Sequence, residues 1–388
     1  MDFTSSNEQT ALADTLRRFL TNAYSADQRI KYAELPDGYS AACWRMLADL
    51  GLVALHLEEE NGGLGGSMID MMVALQALGP GLVLEPWLQT LTAARLIEKC
   101  ASGAVKGEWL NKLASGQAII GFAHGEREAW GNILHCSTTA SPGPHEGFVL
   151  NGEKVLALTA GASHVLLTAR ISDSDESRKG LGLFLVPLDA KGLERRRYRL
   201  ADGMVAEAIR LVDCPISAAS LLNGTDAAGA VLEETIAQAC IMLSSEAIGI
   251  LDAMMAVTSE HLRTRKQFGV PLATFQAIQH RMADCCAELE LARAVVIKAA
   301  ILASDSNADR SARLMAAFGA KAICSTYGIR IAEECVQFHG AMGITEELWV
   351  GRAMKRLFVI AGMFGDARAQ TAHCDLIRAM QCPAGDKT

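Results

Sequence analysis

The sequence predicts a mainly α-helical protein with a central β-domain. Apolar residues recur at helical spacing from Asn7 to about Ser115, the period changes near Ile119, and helical spacing returns after about Asp226. Successive short β-prone runs favour an antiparallel barrel or sandwich in the middle block. The predicted division is an N-terminal helical domain over 1–117, a central β-domain over 118–225 and a C-terminal helical domain over 226–388.

The N-terminal block has a clear apolar helix face, since Leu12, Leu16, Phe19 and Leu20 lie at positions i, i+4, i+7 and i+8. Further along, Asn61–Gly66 carries four glycines in six residues, which predicts a loop. Such a loop can cradle a phosphate. No strand–turn–helix unit with a downstream acidic residue surrounds it, however, so the pattern does not favour a dinucleotide fingerprint.

The middle block is predicted to contain a β-hairpin. Asn151–Gly152 stands between two β-prone runs, and a tight hairpin turn needs two residues that accept a positive φ. Further strands are predicted at His164–Ala169, Leu183–Leu188 and Ala208–Val212.

The last block has few helix-breaking residues, and its helices are long enough to pack as an antiparallel four-helix bundle. The predicted helices are Ala227–Arg265, Phe275–Ser304, Arg310–Phe338 and Ala353–Met380.

Composition excludes several classes of function. Lys and Arg total 36 against 44 Asp and Glu, and the net charge of −8 disfavours non-specific attraction to nucleic acid or an anionic membrane. Eleven cysteines without a Cys-x-x-Cys pair and nine scattered histidines predict no metal site. No apolar run approaches the roughly 20 residues that cross a bilayer, and the N-terminus does not resemble a signal peptide. We therefore expect a cytoplasmic protein without a membrane span.

Two segments of the last block carry an unusual combination of residues. Arg265–Leu272 reads Arg-Lys-Gln-Phe-Gly-Val-Pro-Leu, a basic helix end followed by a turn, and Phe275–Asp284 starts a new helix. With Gln337–Gly343, Asn151–Lys154 and Trp44–Gly63, these segments make the chain similar to the acyl-CoA dehydrogenase family over nearly its whole length.

The resemblance implies an N-terminal helical domain, a central β-barrel and a C-terminal four-helix bundle. It implies non-covalent FAD between the barrel and the bundle, with its adenosine end reaching a neighbouring subunit. It also implies an acyl-CoA substrate and an electron acceptor such as electron-transfer flavoprotein. The expected assembly is a homodimer, a homotetramer, or a hetero-tetramer with a related subunit.

The resemblance also implies which residues contact the cofactor. A guanidinium fork and side-chain amides suit a pyrophosphate and the adenosine near it. In the bundle, the family's cofactor-contacting positions correspond to Arg265, Phe268, Gln276, Gln337 and Gly340. In the β-domain, they correspond to Phe122, His124, Gly125, Leu156 and Leu158.

The position of the catalytic base departs from the family. In many members a glutamate directly precedes a glycine, but here Phe364 occupies that slot. Other members carry the base in the first long bundle helix, at a position that corresponds to Ala239–Cys240. Two carboxylates remain nearby, Asp366 and Glu246, and they are competing candidates for the base that removes the α-proton. Alternatively, Asp366 caps a helix or touches the cofactor, Glu246 pairs with a core polar group or with flavin, and the chain has no base.

The β-domain departs from the family as well. Gly125 stands where a threonine is common, and Leu156 and Leu158 replace a common tryptophan and threonine. Loss of side-chain hydrogen bonds would alter flavin affinity and potential. The pattern around Phe364 resembles the small subunits of bacterial heteromeric acyl-CoA dehydrogenases, including the pimeloyl-CoA type.

The leading hypothesis is an FAD-dependent acyl-CoA dehydrogenase that desaturates its substrate by α-proton abstraction and β-hydride transfer to flavin N5. The alternatives are a non-catalytic or half-site subunit of a heteromeric enzyme, and a flavoenzyme of the same fold with a non-CoA substrate.

Overall fold

The computed structural model describes residues 6–129, 131–171, 180–222 and 225–381. The chain forms two compact units. The helical unit comprises Met1–Arg29, Met68–Val83 and Cys240–Thr388, and the sheet unit comprises Ile30–Ser67 and Leu84–Ala239.

Helices account for most of the described chain, as the sequence predicts. The first helix begins with a capping box, in which the Ser6 hydroxyl accepts the Gln9 N–H and the Gln9 side chain accepts the Ser6 N–H. The helices are α1 (Asn7–Ala23), α2 (Ala26–Glu34), α3 (Ala41–Asp49), α4 (Met68–Leu78), α5 (Trp87–Cys100), α6 (Gly103–Ala114), α7 (Thr225–Thr264), α8 (Gln276–Ser304), α9 (Arg310–His339), α10 (Trp349–Gly362) and α11 (Ala367–Gln381).

The first three predicted bundle helices are confirmed as α7, α8 and α9, but the fourth prediction was wrong. The chain between Ala353 and Met380 forms two helices, α10 and α11. Phe364 and Gly365 adopt φ values of 55° and 96°, which no helix continues. Asp366 then caps α11, since its Oδ1 accepts the Ala369 N–H at 2.9 Å. A local backbone reversal without proline therefore ends α10.

The sheet unit is built on a seven-stranded sheet in the order β1-β4-β2-β3-β7-β6, with β5 paired to β4. The parallel pairs are β1–β4 and β2–β4, and the other pairs in this sheet are antiparallel. Buried apolar side chains such as Leu150, Phe184 and Ile209 form its core. The strands are β1 (Ile120–Ala123), β2 (Thr139–Pro142), β3 (Phe148–Ala157), β4 (His164–Arg170), β5 (Leu181–Pro187), β6 (Leu193–Arg199), β7 (Val205–Ile216) and, in a separate two-stranded hairpin, β8 (Lys266–Gln267) and β9 (Val270–Pro271).

The predicted hairpin at Asn151–Gly152 was wrong, because β3 runs straight through it. The pair instead lies opposite a β-bulge of β7, because Leu150 pairs with Cys214 and Gly152 with Leu211, which leaves two β7 residues opposite Asn151. Asn151 exchanges hydrogen bonds with Asp213, whose φ is 44°. Gly152 has φ 148°, and a Cβ there would lie 2.7 Å from the Thr138 hydroxyl oxygen. Asn151 and Gly152 thus accommodate a bulge of the neighbouring strand, and the sequence pattern does not distinguish that arrangement from a tight turn.

Helix α7 is both long and apolar. By length and composition, Ala228–Thr264 could cross a membrane, although no such segment was expected. Most of its apolar window is buried inside the protein, among residues such as Ile248 and Leu251. A buried core helix of a bundle passes the same test, and burial is the simpler explanation here.

Candidate active site

The structure joins the two β-domain segments that the sequence assigned to the cofactor ring. Phe122 and Leu158 form an antiparallel bridge, with N–H to carbonyl distances of 2.9 and 3.0 Å. The Val155 N–H also donates to the Gly125 carbonyl at 2.8 Å. Segments 122–126 and 154–158, called the paired segments below, are therefore direct neighbours.

A buried ion pair fixes the paired segments to the core. Lys154 Nζ lies 2.6 Å from Glu126 Oε1, and both side chains are at most 1% exposed. Glu126 also accepts hydrogen bonds from the backbone N–H and the hydroxyl of both Ser137 and Thr138. Burial alone would raise the pKa of Glu126, but Lys154 and these donors hold that pKa far below its usual value. The carboxylate is thus ionised and fully bonded.

His124 belongs to the same buried network. Its Nε2 lies 2.8 Å from the Ile133 carbonyl, which can only accept, so Nε2 carries the hydrogen. Its Nδ1 lies 2.9 Å from the Thr168 hydroxyl, which in turn lies 3.0 Å from Lys154 Nζ. Burial, followed by the charge of Lys154, lowers the pKa of His124 to about 4. Both ring nitrogens are bound within the protein, so the imidazole has no hydrogen bond to offer a cofactor.

Tyr198 contacts the paired segments, and sequence reasoning did not name it. Its hydroxyl oxygen accepts the Leu156 N–H at 3.0 Å, although the two residues are 42 positions apart. Leu156 has φ 54°, inside a register shift between β3 and β7. Tyr198 is part of no motif, and strand order alone brings it to this position.

The five predicted cofactor residues of the bundle gather where α7 and α9 end and α8 begins. The His261 and His339 rings lie 4.2 Å apart and join the ends of α7 and α9. The Arg281 guanidinium lies 5.0 Å from the centre of the Phe338 ring and joins α8 to α9. All five residues are exposed: Arg265, Phe268, Gln276, Gln337 and Gly340.

Phe268 is the most unusual of these residues, because its side chain is 92% exposed. It stands at the tip of the β8–β9 hairpin, where Phe268 and Gly269 both have positive φ, 53° and 83°. Its nearest aromatic neighbour is Phe275, with ring centres 6.2 Å apart. The ring is therefore available to pack against another molecule.

The two candidate bases have different surroundings. Arg356 donates to both carboxylate oxygens of Glu246, at 2.8 and 2.6 Å, and both side chains are about 1% exposed. Asp366 is exposed, and only its Oδ1 is used, as the cap of α11. These contacts match one structural alternative for each residue, a core polar partner for Glu246 and a helix cap for Asp366.

The turn that carries Phe364 is held from two sides. Lys321 donates to the carbonyls of Ala361 and Gly365 at 3.1 and 3.4 Å, and Gln370 donates to the Phe364 carbonyl at 2.5 Å. Burial lowers the pKa of Lys321. At the alternative base position, burial raises the pKa of the Cys240 thiol to about 12, so it stays protonated.

The glycine-rich loop at Asn61–Gly66 has no free cradle for a phosphate. Its six backbone N–H groups donate to carbonyls of residues 54–59, at 2.7 to 3.1 Å. Gly63 and Gly66 are needed for this fold-back, since a Cβ would lie 2.1 Å from the Leu57 carbonyl and 2.6 Å from that of Leu55. The loop is therefore a structural turn.

The exposed bundle residues fit a dinucleotide in chemistry. Within the described part of the chain, the Arg265, Gln276 and Gln337 side chains make no hydrogen bond to protein, so their donors are available. Gly340 has φ 62°, and a Cβ there would meet nothing within 4 Å, so the backbone is accessible. No group of three metal-ligating side chains occurs in the described residues.

Comparison with known proteins gives matches over most of the chain. The family model "Acyl-CoA dehydrogenase, N-terminal domain" matches residues 6–117, and "Acyl-CoA dehydrogenase, C-terminal domain" matches residues 229–373. The probable acyl-CoA dehydrogenase YngJ of Bacillus subtilis is 28% identical over 363 residues, which is 92% of this chain and 93% of that protein.

Solved structures share the fold. The Tcur3481–Tcur3483 steroid ACAD variant has a TM-score of 0.86 at 28% identity, over 97% of this chain and 99% of that one. The ChsE4–ChsE5 complex from Mycobacterium tuberculosis has a TM-score of 0.84 at 22% identity, over the full length of both chains. The expected fold class is confirmed.

Proposed function

Because this chain belongs to the acyl-CoA dehydrogenase family, we propose that it is an FAD-dependent enzyme that desaturates an acyl-CoA thioester. The two family models match the N-terminal and C-terminal parts of one chain in the family's order. The oxidoreductase class and FAD, both expected from the resemblance, follow from this membership.

The observation that carries the proposal is the meeting of the paired segments. Phe122 and Leu158 are 36 positions apart in sequence, yet they bridge directly, and the buried Glu126–Lys154 pair holds them. The resemblance to the family assigns both segments to the surface for the flavin ring. Their rigid attachment is what a cofactor site requires.

FAD, when bound, supplies the acceptor for the β-hydride. The proposed protein contacts are backbone groups of the paired segments for the ring, and Arg265, Gln276 and Gln337 for the charged and polar nucleotide part. Gly340 provides close backbone approach. The exposed Phe268 is proposed to pack against cofactor or protein of a partner subunit.

Removal of the α-proton needs a carboxylate that can accept it. Of the two candidates, the geometry favours Asp366, because Arg356 occupies both oxygens of Glu246. One carboxylate oxygen of Asp366 accepts the hydrogen bond that caps α11, and the other oxygen remains for a proton.

An anaerobic titration tests the activity. Acyl-CoAs of different chain length are added to the purified protein with FAD, together with branched, dicarboxylic and steroid-side-chain thioesters. The absorbance of oxidised flavin is then followed. We expect bleaching with at least one thioester. Asp366→Asn should abolish bleaching without release of FAD, because asparagine keeps the helix cap. Persistent colour with every thioester contradicts the proposed activity, and unchanged rates in Asp366→Asn contradict that base.

A second candidate function is a subunit that lacks its own base and works beside a related chain. It is favoured by Phe364 at the usual base position and by the similarity to the Tcur3481–Tcur3483 steroid ACAD. Co-expression with the product of a neighbouring acyl-CoA dehydrogenase-like gene would then yield a mixed oligomer. Its activity should survive Asp366→Asn combined with Glu246→Gln. Loss of activity in that double variant, with the oligomer intact, would argue for a base in this chain.

Assembly and electron transfer complete the proposal. We propose a dimer or tetramer, with itself or a related chain, and electron-transfer flavoprotein or a similar carrier as the acceptor. The exposed Phe268 hairpin supports an interface at that end of the bundle. Light scattering of wild type and Phe268→Ser compares their oligomeric states, and equal mass for both would count against this interface.

A further inference from the structure

Tyr198 stands where the sheet departs from regular pairing. Between Lys154 and Ala157 the register of β3 against β7 shifts, and Leu156 takes a φ of 54°. A leucine in that conformation is strained and persists only where its surroundings hold it. The contact that holds it is the hydrogen bond from the Leu156 N–H to the Tyr198 hydroxyl oxygen, at 3.0 Å.

The sheet is built to let Tyr198 reach this position. Tyr198 lies on β6 and Leu156 on β3, and β7 runs between them. Neighbouring strands are about 4.8 Å apart, so the tyrosine side chain must lie across β7. The β7 residues paired with Tyr198 and Arg196 are Ala206 and Ala208, whose small side chains leave room for the ring.

The tyrosine hydroxyl keeps a hydrogen to donate. Its oxygen accepts the Leu156 N–H, so its own O–H is free for another acceptor. Within the described part of the chain, no protein group accepts it. A half-buried phenol whose oxygen is fixed by a backbone N–H is thus a positioned donor at the edge of the paired segments.

We infer that Tyr198 is a cofactor-binding residue whose O–H donates to an acceptor atom of the flavin ring. This inference rests on the proposed function. It accounts for the missing hydroxyls, since Gly125 and Leu158 stand where relatives commonly have threonine. The donor lost from the paired segments is supplied from β6 instead, beside Leu156.

The test compares Tyr198→Phe with the control Tyr327→Phe, which alters a half-buried tyrosine on α9. We expect Tyr198→Phe to weaken binding of oxidised FAD about three- to tenfold, the usual effect of one hydrogen bond. Reduced flavin carries more negative charge and accepts more strongly, so its affinity should fall about tenfold further. A tenfold larger loss of affinity for reduced than for oxidised flavin lowers the two-electron reduction potential of the bound flavin by about 30 mV. Tyr327→Phe should match wild type in both measurements.

A rescue separates donation from a structural role. Leu158→Thr restores a hydroxyl on the paired segments, and in the Tyr198→Phe background it should recover most of the potential. Tyr198→Phe that lowers urea stability but leaves FAD affinity and potential unchanged would overturn the inference. A change confined to the acyl-CoA KM would also overturn it, because the donor would then face the thioester. Failure of wild type to bind FAD would contradict the proposed function itself.

Discussion

Glu246 and Arg356 hold each other in a two-pronged ion pair inside the helical unit, with hydrogen bonds of 2.8 and 2.6 Å and about 1% exposure each. A carboxylate with both oxygens bound to a buried guanidinium is poorly suited to take a proton from a substrate carbon. The pair joins α7 to α10, so its first role is to fix these helices to each other.

We expect Glu246→Gln to lower the free energy of unfolding by about 3–5 kcal/mol, because it removes the charged partner that binds the buried Arg356 guanidinium through two hydrogen bonds. The double variant Glu246→Leu with Arg356→Met removes both charges and should be closer to wild type than Glu246→Gln. Urea denaturation measures all three proteins. Wild-type stability in Glu246→Gln would show that the pair contributes little.

Acid sensitivity should come in part from Glu126. Because Lys154 and four further donors lower its folded pKa below the unfolded value near 4.5, the unfolded state binds the extra proton. The contribution is therefore complete above about pH 5 and is lost as the pH falls through and below 4.5. The loss can reach about 1.4 kcal/mol per pH unit.

The measurement is urea stability from pH 7 to pH 3 for wild type, Glu126→Gln and the exposed control Glu153→Gln. Glu126→Gln should be less stable at pH 7 and should depend less on pH below 5, whereas Glu153→Gln should follow wild type. If the stability of wild type and of Glu126→Gln fell in parallel with pH, the acid sensitivity would not come from Glu126.

Two glycines should respond to alanine in opposite directions. A Cβ at Gly63 would lie 2.1 Å from the Leu57 carbonyl oxygen, so Gly63→Ala must open the folded-back loop and should cost about 1–3 kcal/mol. A Cβ at Gly107 on α6 would meet nothing within 4 Å. Gly107→Ala should instead stabilise by about 0.5–1 kcal/mol, through helix propensity. Urea denaturation measures both variants, and shifts of the midpoint that are equal in size and sign would refute this account of the loop.

The sequence predicted those parts of the structure that depend on local pattern. Helices α7 to α9 and strands β4, β5 and β7 follow from periodicity. The hairpin prediction at Asn151–Gly152 was wrong because these two residues lie opposite a bulge of β7, and the local pattern does not show what the neighbouring strand does. The prediction of one continuous helix in place of α10 and α11 was wrong because Phe364 adopts a left-handed conformation, which its residue type does not predict.

The candidate site divides in the same way. Phe122 and Leu158 were named from motifs, and the structure pairs them. Tyr198 carries no motif, because its place depends on the β3-β7-β6 order and on a register shift. His124 was named for its place in the segment, but its ring faces Thr168 and Ile133, a contact that only tertiary packing determines.

Phe364 offers a direct test of the base position. Lys321 and Gln370 bind carbonyls of its turn, so a substituted side chain at 364 should start from a fixed backbone. In the Asp366→Asn background, we expect Phe364→Glu to restore flavin reduction by acyl-CoA, since a placed general base contributes about 10²–10⁴ in rate. Phe364→Gln has nearly the same shape without a charge and should stay inactive. Stopped-flow absorbance follows the reduction, and FAD retention is checked in each variant. An inactive Phe364→Glu with FAD bound would mean that this turn does not reach the substrate α-carbon.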